Sequence, residues 1–307
     1  MLSRIAEALF WIGRYVERAD DTARILDVHY HLLLEDPWID EEEACRALLD
    51  VMGVGEGVVA PTGRTVNEIL AYDEASPSSI AGAMKNAREN ARGVREAISS
   101  EMWECLNASW LALRERRVLA GASPSLFFRF VKERAALFAG LTDMTMSRDE
   151  SFRFLTLGRA LERIDMTCRL LSARWSDAAG SAGWVTTLRC CSAHEAYLRT
   201  YRRAVDVSLA AQFLLLDRHF PRSLYYTLEL AERRLAELTP TGSPAGPQYD
   251  ARRLMGRART DLEFRPVDEL LDDLPQVLSE VQSAGWATSA AVAARFFGHT
   301  SPLVWTA

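Results

Sequence analysis

Lysine is almost missing from this chain of 307 residues: only Lys85 and Lys132 occur among 36 basic residues, which leaves 34 arginines. Basic residues are also not in excess, since 42 acidic residues give a formal net charge of −6. Proteins that bind nucleic acid through bulk electrostatics carry a basic excess, so this class is excluded. Codon bias explains most of the arginines, and sites that need a planar, permanently charged side chain are the alternative.

Long apolar runs and a cysteine framework are missing as well. The longest apolar stretches, such as 208–216 and 283–294, are much shorter than a membrane helix of roughly 20 residues. The first 13 residues carry Arg4 and Glu7 and lack a small-residue cleavage site, so they do not predict a signal peptide. The five cysteines are odd in number and have no C-x-x-C spacing, which favours reduced, buried thiols. We expect a cytoplasmic protein that does not bind membranes.

Apolar residues recur at helical spacing along almost the whole chain, and no segment alternates with the period of a β-strand. Serines at 76, 123 and 147 provide helix-start signals. The sequence therefore predicts an all-α fold. The predicted helices cover residues 4–34, 41–52, 77–98, 100–118, 124–146, 147–175, 184–203, 206–217, 222–238, 250–263 and 267–297.

An internal repeat is the most informative pattern in the sequence. Residues 13–26 and 158–171 are identical at eight of 14 positions, where composition alone gives about one. A weaker match relates 68–80 to 212–224 at nearly the same offset. Two matches in the same order predict a pseudo-two-fold helical bundle of two duplicated units of about 145 residues. We expect a single domain over 1–307, with repeats 1–146 and 147–292 and a C-terminal appendage.

The repeated helix carries a charged stripe between apolar flanks, and a second line of arginines lies beside it. A stripe in this position is not an ordinary solvated face. The glycines at its head, Gly13 and Gly158, leave room for close helix–helix contact. The charged side chains shared by the two copies are Arg14, Glu17, Arg18, Asp20 and Arg24, and Arg159, Glu162, Arg163, Asp165 and Arg169.

Two interpretations of this stripe remain open. In a buried ionic lattice, Glu17 pairs with Arg24 or Arg169, and Glu162 makes the reverse pairs; such a lattice specifies register more than it adds stability. In a functional groove, Glu17 and Glu162 are candidate catalytic bases, or the two glutamates together with Asp20 and Asp165 hold a divalent ion such as Mg²⁺. The absence of Glu-x-x-His argues against a di-iron site.

The arginines are candidates for binding an anion or a partner. Besides the six of the repeat, Arg88 and Arg92 share one helical face, and Arg222 lies at a predicted helix start where free N–H groups favour anions. Local salt bridges and simple capping are the alternatives at these places. The sequence contains no nucleotide-binding glycine motif and no H-E-x-x-H, so ATP would be used only through a partner.

The segment Met1–Arg18, together with 77–80, 87–92, 99–107 and 213–223, strongly resembles the bacterial alpha-E domain family. The resemblance covers nearly the whole chain. It implies a helical protein that works with a circularly permuted ATP-grasp ligase in forming amide bonds on peptides or proteins. The resemblance does not assign a catalytic role to this domain.

Three functions follow from these observations. The first is a non-catalytic partner that docks an ATP-grasp ligase or presents its peptide or protein substrate. The second is an enzyme that uses the paired Glu/Asp/Arg groove for amide-bond chemistry. The third is a scaffold that forms oligomers through its terminal helices.

Overall fold

The structure is a computed structural model that describes residues 1–119, 123–176, 181–238 and 247–298. Within these ranges the chain is helical and contains no β-strand, which confirms the predicted all-α fold class. The α-helices of the described residues are α1 Ser3–Glu35, α2 Glu41–Met52, α3 Gly63–Asn67, α4 Ile80–Gly93, α5 Ser100–Leu119, α6 Pro124–Thr145, α7 Glu150–Ser176, α8 Ser181–Cys190, α9 His194–Tyr201, α10 Val207–Leu216, α11 Leu224–Leu238, α12 Pro247–Phe264, α13 Val267–Asp272 and α14 Leu274–Val292.

The long helices α1 and α7 pack against each other and form the centre of the fold. α4 and α6 also pack on α1, whereas α11 and α14 pack on α7. α5 contacts both α4 and α6, and α12 contacts both α11 and α14. Each central helix is therefore covered by its own set of neighbours, and polar side chains between the two are shielded from solvent.

The apolar side chains of α1 and α7 explain why these two helices are central. Ile12 and Ile164 are fully buried, and burying a side chain of this size contributes about 1.5–3 kcal/mol. The ring of Phe10 lies 5.4 Å from that of Phe297, in the π-helical turn Ala293–Phe297 that follows α14. This contact brings the end of α14 against the start of α1.

Several helix ends differ from the sequence-based boundaries. The predicted helix 184–203 is broken between α8 and α9, where Ser192 adopts a left-handed backbone with φ of 52°. Ser79, not Ser76, caps α4, because its Oγ accepts a hydrogen bond from the N–H of Gly82 at 2.9 Å. Asp149 likewise replaces Ser147 at the start of α7 by accepting from the N–H of Ser151 at 2.9 Å. Side-chain caps therefore set the starts of α4 and α7.

No helix in the described ranges combines the length and the apolar character that crossing a bilayer requires. The predicted loops at 177–183 and 239–247 lie largely outside the described residues, and the predicted appendage lies outside them after residue 298.

Candidate functional site

Gly13 of α1 and Gly158 of α7 allow the two central helices to touch at backbone distance. A Cβ atom at Gly13 would lie 2.0 Å from the carbonyl oxygen of Leu155, and one at Gly158 would lie 2.0 Å from that of Phe10. Neither position accepts a side chain unless the opposite helix moves. The close approach predicted from the repeated glycines is therefore present, and it occurs reciprocally.

Glu162 of α7 is buried beside this crossing and is bound by two arginines of α1. Nε of Arg14 donates to Oε2 at 2.7 Å, and Nε of Arg18 donates to Oε1 at 2.5 Å. Arg18 adds a bond from Nη2 to Oε2 at 3.2 Å. Glu162 and Arg14 are each only 2% exposed. A buried charge is tolerated when it is paired and hydrogen-bonded, and both carboxylate oxygens here have cationic donors.

Glu17 of α1 is the counterpart of Glu162 in the repeat, and it is bound by an arginine of α7. Nε of Arg163 of α7 donates to its Oε1 at 2.6 Å. Arg222, which precedes α11, places Nη2 3.3 Å from the same oxygen. Each central helix thus supplies one buried glutamate, and an arginine of the opposite helix binds it.

The two crossing arginines also reach equivalent backbone carbonyls. Nη1 of Arg18 donates to the carbonyl of Pro77 at 3.2 Å, and Nη1 of Arg163 donates to that of Pro221 at 2.8 Å. Both prolines lie in the segments that lead into the covering helices α4 and α11. The guanidinium groups therefore connect three helices on each side of the crossing.

The aspartates of the repeat bind arginines within their own helices. Arg24 Nε donates to Asp20 at 3.0 Å, and Arg169 Nε donates to Asp165 at 2.8 Å. The pairing of Glu17 with Arg24 or Arg169 is therefore wrong. The reason is spacing: residues four apart are neighbours on a helix surface, whereas Glu17 lies two turns from Arg24.

Arg222 joins three carboxylates of α1 and neutralises a cluster that the sequence did not reveal. Its Nη2 donates to Asp20 at 2.6 Å, its Nη1 donates to Asp21, and it lies near Glu17. Asp21 was not predicted because Met166 stands at the matching place in the repeat. The three carboxylates each bring one oxygen within 4.8 Å of the others, a spacing compatible with a metal ion. A guanidinium already satisfies much of their charge.

The four carboxylates predicted to hold a divalent ion do not form one group in the described residues. Glu17 and Asp20 are grouped with Asp21, not with Glu162 and Asp165. Asp165 instead accepts hydrogen bonds from two side chains of α14, Gln282 Nε2 at 2.8 Å and Trp286 Nε1 at 3.0 Å. These α14 partners carry no repeat or motif signal that could have found them.

The arginines set the protonation of the two glutamates. Burial by itself raises the pKa of a carboxyl, but the pairs with Arg163 and Arg222 hold the pKa of Glu17 at about 2. Arg18 and Arg14 likewise hold the pKa of Glu162 at about 2. Both glutamates are therefore ionised at neutral pH, and N–H donors occupy both oxygens of Glu162 and Oε1 of Glu17.

The pKa of Asp21 is shifted in the opposite direction. Burial raises its pKa to about 7, and the neighbouring charges of Glu17 and Asp20 act in the same direction against the opposing effect of Arg222. One guanidinium shared by three carboxylates does not compensate all of them equally.

The three predicted anion-binding arginines outside the repeat are also occupied by protein groups. Arg88 of α4 donates from Nε to Asn107 at 2.8 Å and pairs with Glu89. Arg92 pairs with the same glutamate at 2.9 Å through a mostly exposed side chain. Arg222 is held by the carboxylates of α1, as described above. Local pairing therefore accounts for these residues.

Arg159, which matches Arg14 in the repeat, is the exception. Among the described residues it has no hydrogen bond and no ion pair. It lines a cavity of about 190 Å³ between α1, α6 and α7, together with Arg24 and Arg163.

A match along nearly the whole chain shows its family. A family model described as "a predicted alpha-helical domain with a conserved ER motif" matches residues 1–297. The chain belongs to the Alpha-E family. Of the five Glu-Arg dipeptides in the sequence, those at 17–18 and 162–163 have side chains that cross between α1 and α7.

Sequence similar to this chain occurs in longer proteins. The chain is 26% identical over 316 aligned positions to an uncharacterised protein of Mycobacterium bovis and to one of Mycobacterium tuberculosis. The match covers 92% of this chain but 35% of each relative, so the chain spans about a third of their length. No solved structure matches.

Proposed function

We propose that this chain is a non-catalytic helical partner that binds an ATP-grasp amide ligase and presents its peptide or protein substrate. One observation carries the proposal: the two best candidate bases, Glu17 and Glu162, are each bound by two arginines and buried between helices. A carboxylate with a pKa of about 2 is a poor proton acceptor at neutral pH. The chemistry of amide-bond formation would then come from the ligase.

An enzyme acting on its own is the weaker candidate. General-base catalysis needs a group whose pKa lies near the working pH and whose oxygen can reach the substrate. Asp21 has a pKa near 7, but it is 4% exposed and lies beneath Arg222. No observation in the described part of the chain favours this alternative.

The family and its longer relatives support a partner role. The conserved ER motif of the Alpha-E description fits Glu17–Arg18 and Glu162–Arg163, whose crossed pairs hold the central helices together. Pairs at this place give the motif a structural role that does not depend on chemistry performed by the domain. In the mycobacterial relatives the matching region is one part of a longer chain, as is usual for a domain that works beside others.

The duplication is part of the same proposal: repeats 1–146 and 147–292 form one pseudo-two-fold domain. Its support is that contacts recur reciprocally at an offset of about 145, at the glycine crossing, at the Glu–Arg pairs and at the proline carbonyls.

The five cysteines are buried and free, which supports a reducing, cytoplasmic location.

Copurification with a circularly permuted ATP-grasp ligase of the same organism tests the partner role. We expect a stable complex and a ligation rate, measured as ADP release with a peptide acceptor, that falls when the chain is omitted. A ligase that runs at full rate and specificity alone and forms no complex would contradict the proposal.

Glu17→Gln and Glu162→Gln separate the two functions. A partner role predicts a lowered melting temperature and an unchanged ligation rate per folded molecule. An enzyme predicts the loss of product formation at an unchanged melting temperature.

A further inference from the structure

A small cavity between α1, α6 and α7 has an excess of positive charge. Its volume is about 190 Å³, far above the roughly 10–15 Å³ that a single water needs. The helix α6 contributes only apolar residues to its wall. The charged side chains that line it are Arg24, Arg159, Arg163, Glu17 and Asp20.

The carboxylates of the wall are already neutralised. Glu17 is bound by Arg163 and Arg222, and Asp20 is bound by Arg24 and Arg222. These pairs leave the guanidinium of Arg159 as the surplus charge. Burial lowers the pKa of Arg159, and the neighbouring Arg163 lowers it further. The carboxylates of Glu17 and Asp143 oppose this effect without forming an ion pair with Arg159, and the net shift is downward, so this cation is held in an unfavourable environment.

Comparison with Arg14 shows what Arg159 lacks. Arg14, at the matching position of α1, donates to Glu162 at 2.7 Å and to Ser289 of α14 at 3.2 Å. At Arg159 the corresponding glutamate, Glu17, takes Arg222 as its second partner instead. Proteins rarely keep a partly buried charge without a compensating group. The missing acceptor in one of two otherwise matched places therefore indicates a ligand.

We infer that this cavity binds an oxyanion, a carboxylate or phosphate group, with Arg159 as its main donor. A guanidinium presents paired N–H groups that match the oxygens of either anion. The inference does not depend on the ligase. If the proposed function also holds, the bound group is a carboxylate of the presented substrate.

Binding of acetate and of inorganic phosphate tests the site on the whole chain. Each anion is titrated against the protein by calorimetry and by thermal unfolding, with chloride keeping the ionic strength constant. Arg159→Gln removes the proposed donor. Arg129→Gln on α6 is the matched control, because it removes the same charge from an exposed side chain outside the cavity.

We expect at least one anion to raise the melting temperature of the natural chain and of Arg129→Gln. Arg159→Gln should weaken binding by about tenfold or more, the usual effect of losing a charge-assisted hydrogen bond. Stabilisation by acetate alone assigns a carboxylate, and stabilisation by phosphate alone assigns a phosphate. Binding of neither anion, or equal binding to Arg159→Gln, would overturn the inference.

The melting temperature without added anion is a second readout. Because Arg159 forms no hydrogen bond and no ion pair with the described residues, Arg159→Gln should melt at the same temperature as the natural chain or higher. A fall as large as that of Glu162→Gln would show that Arg159 is part of the structural lattice, and the inference would fail.

Discussion

Glu162→Gln removes the negative charge between Arg14 and Arg18 while keeping the size of the side chain. The amide offers one accepting oxygen, so both guanidinium groups stay buried without a counter-charge. Removing one partner of a buried ion pair costs about 3–5 kcal/mol, because the other charge stays buried without compensation. The pKa of Glu162 gives a similar magnitude: a fall from 4.5 to about 2 corresponds to about 3 kcal/mol at about 1.4 kcal/mol per unit. We expect the free energy of unfolding to fall by about 3–5 kcal/mol.

Urea and thermal unfolding followed by circular dichroism measure this change. For a chain of this size the melting temperature should drop by at least about 6 °C. The control is Glu42→Gln, which breaks a pair with Arg46 between half-exposed side chains at 2.6 Å. Surface pairs contribute about 0–1 kcal/mol, so the control should unfold almost like the natural chain. If both variants lose the same small amount, the crossed Glu–Arg pairs do not hold the central helices together.

Two further predictions concern the crossing and the acidic cluster. Gly158→Ala places a Cβ 2.0 Å from the carbonyl oxygen of Phe10 and should lower stability by several kcal/mol in urea unfolding, whereas Gly140→Ala, which meets open space in α6, should be neutral or stabilising by about 0.5–1 kcal/mol. Equal effects of the two changes would contradict the close approach. Arg222→Met removes the cation shared by three carboxylates, and burial already raises the pKa of Asp21 to about 7. Protonation of Asp21 removes one of the buried negative charges that Arg222 compensates. The loss of stability should therefore be greater above about pH 7 than below it. A loss independent of pH would count against the shared contact.

Much of the fold is predictable because each long helix carries its own apolar face. Hydrophobic periodicity locates α1, α2, α6 and α7 to within a few residues. The break at Ser192 is not predictable, since serine gives no signal for a left-handed backbone inside an apolar pattern. α3 was missed for a related reason: it is short and begins at Gly63, after a Thr62 cap within a glycine-rich segment.

The sequence predicts which residues form the candidate site, but it does not predict which of them pair with each other. The internal repeat selects Glu17 and Glu162 with their arginines, because both copies keep these residue types. Which arginine binds which glutamate depends on the rotation of α7 against α1, and a helical wheel does not contain that rotation. Asp21 and Ser289 escaped notice because the repeat and the motifs give no sign of them.

The carboxyl pKa values of Glu17 and Glu162 test the central claim most directly. A buried ionic lattice requires a pKa well below the ordinary value, whereas a catalytic base requires a pKa near the working pH. Carbon-13 NMR of labelled glutamate, with resonances assigned by their loss in the two Glu→Gln variants, measures them in the folded protein. The lattice predicts a pKa of about 2 for both, so the stability contributed by the pairs is complete above about pH 4.5 and is lost as the pH falls towards 2. A pKa at or above the ordinary value of 4.5 for either glutamate would contradict the account.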